Sequence, residues 1–269
     1  MGERLSSQGA DFRRTEREGV LTVTFTRDAK LNAVSQEMVD ALRSAAVDLG
    51  DRDDLRALLI RAEGRFFSAG MDIGGTMAGR DDTDGRDTRR LRRSYRRLHL
   101  LFDELEAIEK PVVVAVQGPC WGVGLELSSS CDFRLATPRA TFALPEVPNL
   151  GVIPGSGGIS RVTRLIGPHW AKWLAMAGEV VDADRALAIG LVHAVHPEDS
   201  FDEEVDAFMR KLVDLPGDAV GLAKLAVDTA ASVDRGTARD FDRVANTVLL
   251  LSEDHKARVR AFEERQHRA

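Results

Sequence analysis

The sequence predicts an α/β fold with a helical C-terminal region, and three observations carry that expectation. Short apolar runs read as strands, and the first two are separated by a helical pattern, an order that pairs strands in parallel with helices outside. Small-residue, glycine-containing turns leave several of these strands. The last seventy or so of the 269 residues place apolar side chains only at helical spacing.

Residues 20–26, VLTVTFT, alternate apolar residues with threonine, a period of two that puts Leu21, Val23 and Phe25 on one face of a strand. RDAKLNAV follows as a loop. Ser35 then stands as the N-cap of a helix to about Leu49, with Met38, Leu42, Ala45, Ala46 and Leu49 on one side and Gly50 at its end. LRALLIR (55–61) is a second strand. VVVAV (112–116) is apolar at every position, as a strand buried on both faces must be. Between them, residues 74–97 are crowded with glycine and charge and read as a mobile loop leading into a basic helix, which turns apolar at LHLLFDEL. FRLAT, TFAL and LVHAV are short strands, and PGSGGISRVTRLIG is a glycine turn opening a helix. Beyond Pro197 the pattern is helical: Val205, Phe208, Met209, Leu212 and Val213, then Phe241, Val244, Ala245 and Val248. The expected division is an α/β core over 1–197 and a helical region over 198–269. No repeat and no low-complexity tract is visible.

Composition bounds the function. With 43% hydrophobic and 30% charged residues the chain can bury a sizeable core. Its apolar runs fall short of the roughly 18–20 residues of a membrane helix. The first twenty residues carry no apolar signal core, and two cysteines suit a reducing compartment, so a cytoplasmic location is expected. A net charge of −6, from 37 basic and 43 acidic residues, argues against nucleic-acid binding by overall field. RRLRRSYRR (89–97) could contact phosphates or RNA. The expectation is a solvated helix face balanced by Asp81, Asp82, Asp84 and Asp87. GVG and GSGG continue into neither nucleotide-loop pattern. His193, His196, Trp170 and Trp173 lack motif partners and read as structural.

The chemistry concentrates in GPCWGVGLELSSSCD (118–132), where one carboxylate, Glu126, sits among small and apolar residues. A tight turn opening a helix leaves its first N–H groups without internal partners, and these suit an oxygen that becomes negative. A glutamate in the first turn also complements the helix dipole, which is an equally good reason for Glu126 to be there. RFFSAGMDIGG (65–75) is a second small-residue turn leaving a strand, with free donors near Ala69–Met71. TFALPEVPNLGVIPGSGG adds Glu146, flanked by Leu144, Pro145 and Val147 and so poorly solvated. Two carboxyl groups in unlike surroundings are how acid and base roles are divided.

FFSAGMDI, KPVVVAVQGPCWGVGLELSSSCDFRLA and FALPEVPNLGVIPGSGG together resemble the enoyl-CoA hydratase/isomerase (crotonase) superfamily. The likeness extends to RDAKLNAV and to AFEERQ near the C-terminus. It implies a crotonase-like spiral of ββα units with a C-terminal helical region for oligomerisation and pocket closure, assembled as a homotrimer or hexamer. It also implies an acyl-CoA substrate and an enolate held by two backbone N–H groups, here those of Met71 and Val123. No metal and no separate cofactor is implied, since coenzyme A is part of the substrate. Ala69 and Ile73 match positions lining the adenine site, Lys30 falls in the CoA-contacting loop, and Gly70, Asp72 and Gly155 complete the expected thioester site. Asp72 reads as a residue fixing its turn through side-chain to backbone hydrogen bonds.

Glu126 and Glu146 match the two glutamates of the family's hydratases, spaced 20 residues apart as here. The implied activity is addition of water to a trans-2-enoyl-CoA, Glu126 activating the water and Glu146 protonating the α-carbon. PEVPNLGVIPG, however, carries one residue more than the pattern. Either the extra residue bulges at Pro148–Asn149, or Val147 takes the glutamate's place. The second case leaves a single carboxylate and favours a double-bond isomerase. A non-catalytic RNA- or partner-binding relative is the third reading, and the presence of both glutamates weighs against it. The bulge is the expectation.

Overall fold

The computed structural model describes residues 4–74 and 88–266, and the chain divides into two compact units, Met1–Val213 and Asp214–Ala269. In the first unit the strands are β1 (Arg4–Gln8), β2 (Phe12–Arg17), β3 (Val20–Phe25), β4 (Ala57–Ala62), β5 (Val112–Val116), β6 (Cys120–Trp121), β7 (Phe133–Ala136), β8 (Thr141–Ala143), β9 (Val181–Asp182) and β10 (Ala194–Val195). Its helices are α1 (Gln36–Asp51), α2 (Thr88–Ala107), α3 (Val123–Ser129), α4 (Glu146–Leu150), α5 (Gly158–Ala175), α6 (Ala183–Ala188) and α7 (Phe201–Val213). A seven-stranded sheet runs in the order β1-β2-β3-β4-β5-β7-β10, and a three-stranded sheet in the order β6-β8-β9. From β3 to β10 the large sheet is parallel, as the strand–helix–strand order requires; β1, β2 and β3 pair antiparallel. The two N-terminal strands are polar, β1 exposed throughout and β2 half-buried, so the apolar pattern did not reveal them.

The uniform apolar run of β5 has its reason in layering. Val112, Val114 and Val116 join the main core with Leu58, Ile60 and the helices α1 and α2. Val113 and Ala115 face the other way, onto Ala57, Leu59, Leu135 and the α7 residues Phe201, Val205, Met209 and Leu212. The docking of α7 on this second face moves the boundary between units to 213/214, past the expected 197/198. In α1, Ser35 caps as expected, its side chain accepting from Met38 N at 3.3 Å, and Met38, Leu42, Ala45, Ala46 and Leu49 are all buried.

The second unit comprises α8 (Gly217–Ala230), α9 (Arg235–Leu250) and α10 (Glu253–Gln266). Helical spacing is obeyed there, but Val227, Val244, Val248, Leu251 and Phe262 are exposed. The glycine- and acid-rich stretch over 75–87, including the four aspartates expected to balance the basic helix, lies outside the described residues. Arg89, Arg92, Arg93, Arg96 and Arg97 on α2 are exposed, as a solvated face should be. Cys120 and Cys131 are buried and unbridged.

Candidate active site

The first turn, after β4, is shaped by Asn32. This buried residue adopts a left-handed conformation (φ 49°), which asparagine tolerates better than bulky residues. Its Oδ1 accepts from Arg27 N at 2.8 Å, and its Nδ2 donates to Glu63 O at 2.8 Å and Phe66 O at 2.7 Å. Ala69 N then donates to Leu31 O, and an isolated parallel bridge joins Val34 to Met71. In that bridge Val34 N bonds Gly70 O at 2.8 Å and Asp72 N bonds Val34 O at 3.1 Å. The intervening N–H of Met71 therefore points away from Val34, on the opposite side of the chain. Asp72 is held by an ion pair with Arg27 Nη2 at 2.8 Å, a side-chain partner in addition to the turn itself.

The second turn, 117–123, runs alongside the first. Ser68 N bonds Pro119 O and Trp121 N bonds Ser68 O at 2.9 Å. Gly122 has φ 54° and ψ −126°, a conformation open essentially to glycine alone. The two turns close to contact: a Cβ on Gly70 would lie 3.5 Å from Trp121 O and 3.9 Å from Val123 N. Glu126 N bonds Gly122 O, which starts α3 and leaves the Val123 N–H without a partner inside the helix.

Glu126 is 1% exposed and does not cap its own helix. Its Oε2 accepts from Ser156 N and from Gly158 N, both at 2.8 Å, across thirty residues of sequence. That decides between the two reasons for its presence: the carboxylate is gripped by the glycine turn before α5. Burial pushes its pKa up, against the two N–H donors and the nearby His99 and Arg161. A Cβ on Gly158 would come within 2.9 Å of Oε2, so that position must stay bare.

Glu146 opens α4, and its carboxylate reaches the same region. A Cβ on Gly122 would lie 2.9 Å from Oε1. Burial, and secondarily the charge of Glu126, pushes Glu146 up to about 7. Val147, in contrast, is 37% exposed. Glu146–Leu150 form the single helical turn α4, which ends in the left-handed Gly151. Glu146, not Val147, therefore occupies the place beside Glu126.

The other anticipated positions divide in two. Ala69, Gly70, Met71, Asp72 and Ile73 all lie in the first turn, with Ile73 more than half exposed at its edge. Lys30 is exposed in the one-turn helix over 28–30, whose neighbour Leu31 receives the Ala69 N–H. Gly155 sits in the turn that holds Glu126. The roles of Ser156, Gly158, Gly122 and Asn32 went unread in the sequence, because each acts through its backbone or through partners far along the chain. Tyr95 was hidden inside a run read for its charge. His193 is structural as expected, its Nδ1 accepting from Arg134 N at 3.1 Å. Trp170 packs against the core, while Trp173 is half-exposed.

The sequence profile of enoyl-CoA hydratase/isomerase matches residues 15–268. The chain belongs to this family. Within it, the chain is 33% identical over 253 residues to the crotonyl-CoA hydratase of Syntrophomonas wolfei, covering 93% of this chain and 94% of that one. The short-chain-enoyl-CoA hydratase of Clostridium acetobutylicum shows the same identity and coverage. Among solved structures, an enoyl-CoA hydratase subunit from Geobacillus kaustophilus superposes with a TM-score of 0.86 at 31% identity, over 96% of this chain and 97% of the other. The enoyl-CoA hydratase/isomerase fold is thus the fold of this chain, with mixed sheets and C-terminal helices as the resemblance implied.

Proposed function

We propose that the protein is an enoyl-CoA hydratase, adding water to a trans-2-enoyl-CoA. The observation that carries this reading is the convergence of Glu126 and Glu146, from separate segments, on one partly dry space beside the paired turns. The relatives named crotonyl-CoA and short-chain-enoyl-CoA hydratase support the same substrate class.

In this reading the N–H groups of Met71 and Val123 receive the thioester oxygen, where negative charge grows as the enolate forms. A lone pair of water forms the C–O bond at the β-carbon, and the displaced π electrons move toward the thioester. Glu126 accepts a proton from that water. Its Oε2 is occupied by Ser156 N and Gly158 N, so Oε1 faces the task. Glu146, with its pKa at about 7, carries a proton in a large fraction of molecules at neutral pH and delivers it to the α-carbon. Water is added, and a proton exchange between the two carboxyls restores the start. Lys30, Ala69 and Ile73, along the exposed edge of the first turn, hold the coenzyme A portion.

Loss of the conjugated enoyl-thioester absorbance of crotonyl-CoA tests the proposal. Glu126→Gln and Glu146→Gln should each lower kcat by about 100-fold or more, on the scale of general acid–base catalysis. Near-parental turnover in Glu146→Gln removes it as the acid. Absence of hydration by the parent on short and long enoyl-CoAs refutes the activity. The exposed apolar residues of α8–α10 support an oligomer, read as a homotrimer or hexamer. A monomer in sedimentation equilibrium would contradict the assembly.

A further inference from the structure

Among the described residues, two polar groups at this site make no hydrogen bond. Glu146 Oε2 is buried and accepts no hydrogen bond. The second is the hydroxyl of Tyr95, the one tyrosine of the chain, carried by α2. Its ring lies on the backbone of Gly155, where a Cβ would meet Cζ at 3.0 Å and Cδ1 at 3.1 Å. One turn further along the same face of α2, His99 Nε2 is 2.7 Å from Gly155 O. Beyond it, Asp103 and Glu106 hold Arg161 of α5 at 2.6 and 2.8 Å. The ring is thereby fixed against the same turn that grips Glu126. The ring thus abuts the residue next to Ser156, whose N–H, with that of Gly158, holds Glu126 Oε2; burial, then Glu126, then Glu146 push the phenol above its ordinary value, so it keeps its proton. Among the described residues its hydroxyl makes no hydrogen bond.

A protonated phenol is a donor, and Glu126 Oε1, which makes no hydrogen bond among the described residues, is an acceptor. Set against the same glycine turn and not bonded to each other, they suit a group that both accepts and donates. A hydroxyl or a water has that character. We infer that Tyr95 contacts the substrate, its hydroxyl donating to the oxygen that adds at the β-carbon, so that the site recognises the 3-hydroxyl of a 3-hydroxyacyl thioester. This rests on the hydratase reading. Of the two lone pairs of the incoming water, one forms the C–O bond and the other receives the phenol O–H. The water's proton goes to Glu126, and Tyr95 keeps its own proton throughout. By fixing one lone pair, Tyr95 aims the other.

The test compares two ligands that differ only in that hydroxyl, 3-hydroxybutyryl-CoA and butyryl-CoA. Calorimetric titration is made on Glu126→Gln, which blocks turnover, and on Glu126→Gln with Tyr95→Phe. Tyr95→Phe should weaken binding of the hydroxyl-bearing ligand about 5- to 20-fold, the span of one hydrogen bond lost in a buried site, and that of butyryl-CoA less than about 2-fold. Equal weakening of both ligands would assign the ring a packing role and overturn the proposal. So would unchanged binding of both. In either case continued hydration of crotonyl-CoA by the parent leaves the hydratase reading intact. A parent that neither hydrates nor binds these thioesters overturns that reading, and this one with it.

Discussion

Glu146→Gln should make the protein more stable as the pH rises. The carboxyl of Glu146 moves from 4.5 to about 7 on folding because burial penalises its charge and Glu126 repels it. Its buried Oε2 finds no donor. Between those two values the folded state binds more protons than the unfolded one, so stability falls as pH climbs from about 4.5 and levels off above 7. A rise of about 2.5 at about 1.4 kcal/mol per pH unit is an upper bound of about 3.5 kcal/mol. The side chain is only half-buried, and solvent screening leaves about half of that. Glutamine carries no charge to desolvate. The stability of Glu146→Gln relative to the parent should therefore rise by about 1–2 kcal/mol from pH 5 to pH 8. Urea unfolding at the two pH values, at one protein concentration, reads this directly. A difference independent of pH, or one that shrinks toward pH 8, would mean that Glu146 is well solvated and that its placement beside Glu126 is mistaken.

Two further substitutions probe the paired turns. Gly122→Ala puts a methyl group 2.9 Å from Glu146 Oε1 and forces a glycine-only backbone conformation. It should cost about 1–3 kcal/mol of stability by chemical denaturation and lower kcat by at least about 10-fold, since either the carboxylate or the turn must move. Asn32→Ala removes three hydrogen bonds, taking a partner from Arg27 N and from the Glu63 carbonyl, while the Phe66 carbonyl keeps Gln117 Nε2 at 3.0 Å. About 1 kcal/mol for each bond predicts a loss of about 3 kcal/mol in urea unfolding. A loss below about 1 kcal/mol would show that the first turn holds its shape without Asn32.

The letters alone determined whatever depends on neighbours in the chain. The alternation in VLTVTFT fixed which face of β3 is buried, and the unbroken VVVAV announced a strand covered on both sides. Motif spacing marked the two glutamates and the two turns. Three things lay beyond it, each for the same reason: they join residues far apart in sequence through groups that every residue carries. Whether Glu126 serves its own helix or another segment depended on the N–H groups of Ser156 and Gly158, and a main-chain donor leaves no signature in a side-chain code. Whether Glu146 or Val147 stands beside it turned on the course of the single helical turn α4, which leaves Val147 exposed. And Tyr95, written among arginines, reaches the turn at Gly155 only because α2 packs its opposite face there.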